Sequence, residues 1–137
     1  MIAILDTNIL ISALFDPNSV SASLLGAWES GQFDLLTCEQ QFEEFRRVSR
    51  YPKIAARLSA PQAGKLVLRM RKLAVQFDRL PAVDRSKDPA DNYLLALAQA
   101  GSADFLVTGD KADLLALGRH GNTQIVPLRV FVMLLDR

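Results

Sequence analysis

Cysteine and histidine are each present once in the 137-residue chain, and that scarcity removes several chemistries. A lone Cys38 closes no internal disulfide and cannot build a cysteine-based zinc cluster, which fits a reducing cytoplasm. A lone His120, in a glycine-flanked loop, leaves a histidine-based nucleophile relay no second copy and reads as a surface residue. No apolar run approaches the roughly 20 residues of a membrane span. The N-terminus lacks the basic lead-in and small-residue cleavage site of a signal peptide. A cytoplasmic protein with no membrane contact is therefore expected. A glycine-rich phosphate loop of either standard spacing is also missing. So are internal repeats, low-complexity tracts and linkers, and a single domain over residues 1–137 is expected.

Negative charge is absent from one long stretch. Between Phe45 and Phe77 there is no Asp or Glu, while the same span carries Arg46, Arg47, Arg50, Lys53, Arg57, Lys65, Arg69, Arg71 and Lys72. The net charge of +1 hides this segregation. Two readings follow: a solvated helical face, or a basic face for a polyanion with an acidic pocket elsewhere. On the second reading, Arg46, Arg47, Arg50, Lys65, Arg69 and Lys72 include the main contacts to that polyanion.

What the chain does contain is organised around Ile2-Ala3-Ile4-Leu5-Asp6-Thr7-Asn8. A short unbroken apolar run with β-branched members suits a strand buried on both faces. It stops at Asp6, at the carboxyl end of the strand, where open α/β sheets place ligands. The same Asp6 also suits an N-cap of the next helix. Strand-like segments then alternate with helical ones: Phe33–Cys38, Ala74–Phe77, Asp104–Thr108 and Thr123–Val126 against helices at Ile9–Phe15, Ser21–Trp28, Glu39–Ser49, Pro61–Leu73, Asp88–Ala100, Asp110–Leu117 and Pro127–Leu135. Trp28 is expected in the core. Such alternation predicts a parallel sheet with helices on both faces, the first strand lying between those that end at Cys38 and Thr108.

Four acids fall where this architecture makes them interesting. Asp6 and Asp110 each follow a strand. Asp91 opens a helix with Leu94, Leu95 and Ala98 on its own face. Glu44 is separated from its neighbour by helix phase. At about 100° per residue, Phe42, Phe45 and Val48 define an apolar face; Glu44 lies on its border, about 40° from Val48, and Glu43 about 160° from its centre. Several carboxylates in one pocket repel one another, and a divalent cation resolves the conflict. All-oxygen ligation selects a hard ion, Mg²⁺ or Mn²⁺, which activates water and offsets charge developing on a phosphodiester. Taken singly, the acids also have structural readings: Asp88, Asp91 and Asp110 suit helix N-termini, and Asp110 with Asp113 suits a capping box with Asp in place of Glu.

The ordered set Leu5-Asp6-Thr7-Asn8, Glu43-Glu44-Phe45 with Arg50-Tyr51-Pro52-Lys53, Asp88-Pro89-Ala90-Asp91-Asn92 leading into Leu94–Ala98, and Thr108-Gly109-Asp110-Lys111-Ala112-Asp113-Leu114 resembles the PIN-domain ribonucleases, in particular the toxin-like group of prokaryotic toxin–antitoxin pairs. The resemblance spans nearly the whole chain. It implies a Rossmann-like α/β/α sandwich with a central parallel sheet of four to five strands, and Mg²⁺- or Mn²⁺-dependent cleavage of single-stranded RNA. It makes Asp6, Glu44, Asp91 and Asp110 the catalytic, metal-binding acids. Thr108 and Asp113 would support the site, and Asn8 would orient Asp6 or the water. It also implies a homodimer and a cognate antitoxin protein as partners.

Two competing readings make different demands. A phosphatase of the haloacid dehalogenase type also begins with a strand ending in Asp and uses a Gly-Asp-x-x-Asp turn, matched by Gly109–Asp113. It requires a second Asp two residues after the first, where this chain has Asn8, and gives Glu44 no role. A non-catalytic RNA- or partner-binding protein on the same fold would use the basic span alone, and would have no need to retain all four acids.

Overall fold

A computed structural model describes residues 1–109 and 112–136. Its first strand, β1 (Ile2–Leu5), is followed by helices α1 (Thr7–Phe15) and α2 (Val20–Glu29), then β2 (Asp34–Thr37), α3 (Glu39–Ser49), the single turn α4 (Pro52–Ala55), α5 (Ala60–Leu73) and β3 (Val75–Gln76). After a loop come a short 3-10 turn at Pro89–Asp91, α6 (Asn92–Gly101), β4 (Phe105–Thr108), α7 (Ala112–Leu117), β5 (Arg119–His120), β6 (Thr123–Pro127) and α8 (Leu128–Leu135).

The strands form one sheet in the order β3-β2-β1-β4-β6-β5, parallel except for the β5–β6 pair. As the sequence predicts, β1 lies between β2 and β4, pairing Ala3 with both Leu35 and Phe105. The Asp6 amide extends that pairing to the Val107 carbonyl at 2.9 Å. Successive residues divide between two cores. Ala3, Leu5, Leu35 and Val107 pack with α1, α2, α3, α5 and α8 on one face, and Ile4, Leu36 and Leu106 pack with α6 and α7 on the other. The period-2 alternation of a strand thus feeds two apolar layers. Fully burying each large aliphatic or aromatic side chain contributes roughly 1.5–3 kcal/mol. Trp28 lies in the first of these cores, as expected.

The sheet has six strands among the described residues, where four to five are expected from sequence. The additional one, β5, lies inside the segment that reads as a Gly118–Asn122 loop. Gly118 and Gly121 adopt positive φ there, 69° and 57°, so the chain turns into a short antiparallel hairpin with Arg119 opposite Gln124. Two local expectations also change. The Asp88–Ala100 helix begins as a 3-10 turn, with Asp88 accepting a bond from the Ala90 amide at 3.1 Å. The helix also runs past its expected end at Ala100, through Gly101 to a cap at Ser102, φ 50°. A Cβ on Gly101 would stand 2.3 Å from Leu36 Cδ1, so any larger residue there would have to displace the buried Leu36 side chain.

His120 lies at the surface, as expected, but is half-buried and engaged at both ring nitrogens. Arg85 approaches Nδ1 at 2.8 Å and the Arg119 carbonyl at 3.1 Å, and Gln99 Oε1 lies 3.0 Å from Nε2. Since guanidinium only donates, Nδ1 accepts and the ring proton sits on Nε2. Burial, and then the Arg85 charge, lower its pKa from the ordinary value. The loop that carries Arg85 is tied down in turn by Asn92, whose Oδ1 accepts from the Arg85 and Ser86 amides at 3.1 and 2.9 Å.

Candidate active site at the carboxyl edge of the sheet

In a parallel sheet the carboxyl ends of the strands share one edge, and here that edge is polar. Asp6 follows β1 and is fully buried. It occupies the N-cap position of α1, yet its side chain makes no capping bond. Its Oδ2 instead accepts from Thr108 Oγ1, at the end of neighbouring β4, at 2.9 Å. The two readings of Asp6 are thereby separated: the backbone position is that of a cap, and the carboxylate is directed across the strand ends.

Helix α3 brings Glu44 to the same edge, and a buried glutamine locks that helix in place. Gln41 Nε2 donates to the Leu5 carbonyl at 2.7 Å and its Oε1 accepts from Thr37 Oγ1 at 2.7 Å. It thus spans the ends of β1 and β2 three residues before Glu44, nearly one helical turn. Glu44 is half-buried and Glu43 exposed, as the helix phase predicts. The Glu44 Oε1 atom accepts from Thr7 Oγ1 and from Tyr93 OH, whose oxygens lie 3.3 Å apart. Burial, the Glu44 charge and its hydrogen bond, and more weakly Asp6, raise the Tyr93 pKa well above the phenol range, against a smaller opposing effect of the Thr7 hydrogen bond. Tyr93 is therefore a neutral donor across the working pH range.

Asp91 lies two residues before Tyr93, at the end of the 3-10 turn, and is 2% exposed. Asp113 is half-buried in the first turn of α7, just beyond the β4 end. Asn8 is exposed on the first turn of α1. Asp110 lies outside the described residues, as does the Asp110–Asp113 capping box. Among the described residues, no three acidic, histidine or cysteine side chains stand close enough to form a ready-made cation cluster; Glu44 is turned onto its two hydroxyl donors. The donor set is carboxylate oxygen throughout and partly buried, which suits a hard dication and not a soft one.

The basic span is less uniform than its sequence. Arg46, Lys65 and Lys72 are exposed and make no ion pair among the described residues. Arg69 pairs with Glu29 at 2.8 Å, and the Arg50 guanidinium donates to the Leu58 carbonyl at 2.5 Å. Proximity to the Tyr51 hydroxyl raises the pKa of Arg47, and the charge of Glu44 and the Tyr93 phenol act weakly in the same direction. Arg71, in the same span, is paired with Glu39 at 2.9 Å and lies 4.4 Å over the Phe42 ring. That pairing holds the Glu39 carboxyl below its ordinary pKa.

Three side chains that organise this edge carry little individual signal in the sequence. Thr7 stands within the Asp6 stretch but looks like an ordinary first-turn residue. Tyr93 looks like an interfacial aromatic. Gln41 carried a usable signal: at about 100° per residue it falls within about 40° of the apolar centre of α3, and a polar residue there must find partners.

Residues 3–112 match a PIN-domain family model. The match covers most of the chain, which therefore belongs to the PIN-domain family. PIN domains are generally metal-dependent nucleases, using divalent ions such as Mg²⁺ or Mn²⁺. No curated protein matches the chain.

Proposed function

We propose that this protein is a divalent-metal-dependent endoribonuclease for single-stranded RNA, and that it serves as the toxin of a prokaryotic toxin–antitoxin pair in the cytoplasm. The observation that carries the nuclease reading is Asp6. A fully buried carboxylate stands at a helix N-cap, leaves the cap unused, and is held by Thr108 at the carboxyl edge beside Glu44 and Tyr93.

In this reading Asp6, Glu44, Asp91 and Asp110 hold Mg²⁺ or Mn²⁺, Asp110 on the strength of the sequence pattern. When bound, the ion lowers the pKa of a water and offsets charge on the scissile phosphodiester. The residues of the chain orient and neutralise. Thr108 fixes the direction of the Asp6 carboxylate by donating to Oδ2. Gln41 sets the height of α3 over the strand ends, and thereby the reach of Glu44. Asp113 supports the site from α7, and Asn8, exposed on the first turn of α1, orients Asp6 or the water. Arg46, Lys65 and Lys72, with Arg47 next to the acids, contact RNA phosphates; Arg50 and Arg69 contribute only by exchanging their present bonds. A homodimer and an antitoxin partner belong to the same proposal, and the exposed Leu68, Leu73 and Met133 supply apolar surface for such contacts.

A haloacid dehalogenase-type phosphatase fits less well, because Asn8 stands where its second Asp is required and the chain belongs to another family. The test is incubation of purified protein with end-labelled single-stranded RNA in Mg²⁺, in Mn²⁺ and in excess chelator. Internal cleavage in either metal and none in chelator is expected. Full activity in chelator, or no cleavage in any metal, would overturn the reading.

A further inference from the structure

Thr7 and Tyr93 meet at one oxygen of Glu44 from opposite sides of the sheet. Thr7 opens α1, which packs in the first core, and Tyr93 opens α6, which packs in the second. Both hydroxyls donate to Glu44 Oε1. Each has a single proton to give, and neither bond involves Oε2. Thr7 also follows Asp6 directly, and Asp6 is fixed by Thr108. One chain turn therefore holds one acid in place and contributes a donor to the second.

We propose that Thr7 and Tyr93 are a pair of positioning residues that pin Oε1 of Glu44 and so present Oε2 to the metal and substrate. The inference rests on the nuclease reading above. A glutamate in mid-helix has three rotatable torsions, and a partly exposed one samples many of them. Two hydroxyl donors on a single oxygen select one arrangement before any ion arrives, which lowers the ordering cost of binding. The effect is expected on metal affinity and kcat, with RNA binding untouched, because neither hydroxyl needs to meet the RNA.

The test uses the full chain, with Mn²⁺ binding followed by electron paramagnetic resonance and cleavage of labelled single-stranded RNA followed in parallel. Tyr93→Phe removes one donor and keeps the ring. Thr7→Val removes the other at nearly constant shape, and Thr7→Ser restores it. Tyr93→Phe and Thr7→Val are each expected to weaken Mn²⁺ binding by about tenfold and to lower kcat at unchanged KM, with Thr7→Ser close to the parent. In a Glu44→Gln background, Tyr93→Phe should cause no further loss of Mn²⁺ affinity, whereas simple structural damage would persist there. Parent-like Mn²⁺ affinity in Tyr93→Phe, or an equal loss in both backgrounds, overturns the proposal. If the parent protein binds Mn²⁺ and cleaves RNA, and Glu44→Gln impairs both, that failure belongs to the positioning pair alone. A parent protein that neither binds nor cleaves removes the nuclease reading and this inference with it.

Discussion

The carboxyl edge of the sheet buries its acids, whereas the face formed by α3 and α5 exposes its bases and ties several of them up. Asp6 and Asp91 are buried, and Glu44 is half-buried against two hydroxyls. On the other face Arg69 and Arg71 lie in exposed ion pairs with Glu29 and Glu39. Exposed pairs of this kind contribute roughly 0–1 kcal/mol each. Burying a carboxylate costs several kcal/mol before compensation. Acids retained at a burial cost therefore mark a site more reliably than a run of surface cations.

The largest expected effect separates the two regions outright. Asp6→Asn should lower RNA cleavage by more than about a hundredfold in a protein that remains folded. It should also raise Tm, by about 2–4 °C for each roughly 1 kcal/mol of carboxylate repulsion relieved. Paired cleavage assays and thermal melts check both; a variant that cleaves fully, or melts well below the parent, would put Asp6 in the structure and not in the chemistry.

The basic face is expected to respond more gradually. Reversing Arg46, Lys65 and Lys72 together should weaken RNA binding and make the log–log salt slope shallower, by about 0.7 for each single-strand phosphate that the protein ceases to neutralise. Reversing Arg50 and Arg69 should instead lower Tm, because their guanidinium groups hold the Leu58 carbonyl and Glu29. An unchanged salt slope in the triple variant would make the span a solvated face.

The smallest effect belongs to neither region. Burial, and then the neighbouring Arg85, hold His120 below its ordinary pKa of 6.5 in the folded chain. The unfolded chain takes up that proton first, so the contribution of His120 is complete above pH 6.5 and is lost as pH falls toward the folded value. Denaturant melts at falling pH should show this loss in the parent and a shallower one in His120→Gln.

Much of this was legible in the residues. The unbroken run Ile2–Leu5 placed β1 in the centre because only a doubly covered strand tolerates it, and the phase of α3 separated Glu44 from Glu43. The hairpin at Arg119–His120 was not legible, because two residues carry no alternation and the flanking glycines read as a loop. Nor were the partners of Glu44: Thr7 and Tyr93 lie 86 positions apart, and only the closing of the sheet brings them to one oxygen. The segregated charge was legible as composition, but which cations are consumed in pairs is decided by tertiary packing.

If the acids at the strand ends perform the cleavage, the two adjacent glutamates of α3 must behave differently. Glu44 is half-buried at the site, and Glu43 is exposed one residue earlier. The measurement is single-turnover cleavage of labelled single-stranded RNA by Glu44→Gln and Glu43→Gln at saturating Mn²⁺. A crippled Glu44→Gln and a Glu43→Gln that matches the parent are expected. Equal loss in both, or loss in Glu43→Gln alone, would contradict that role for the acids.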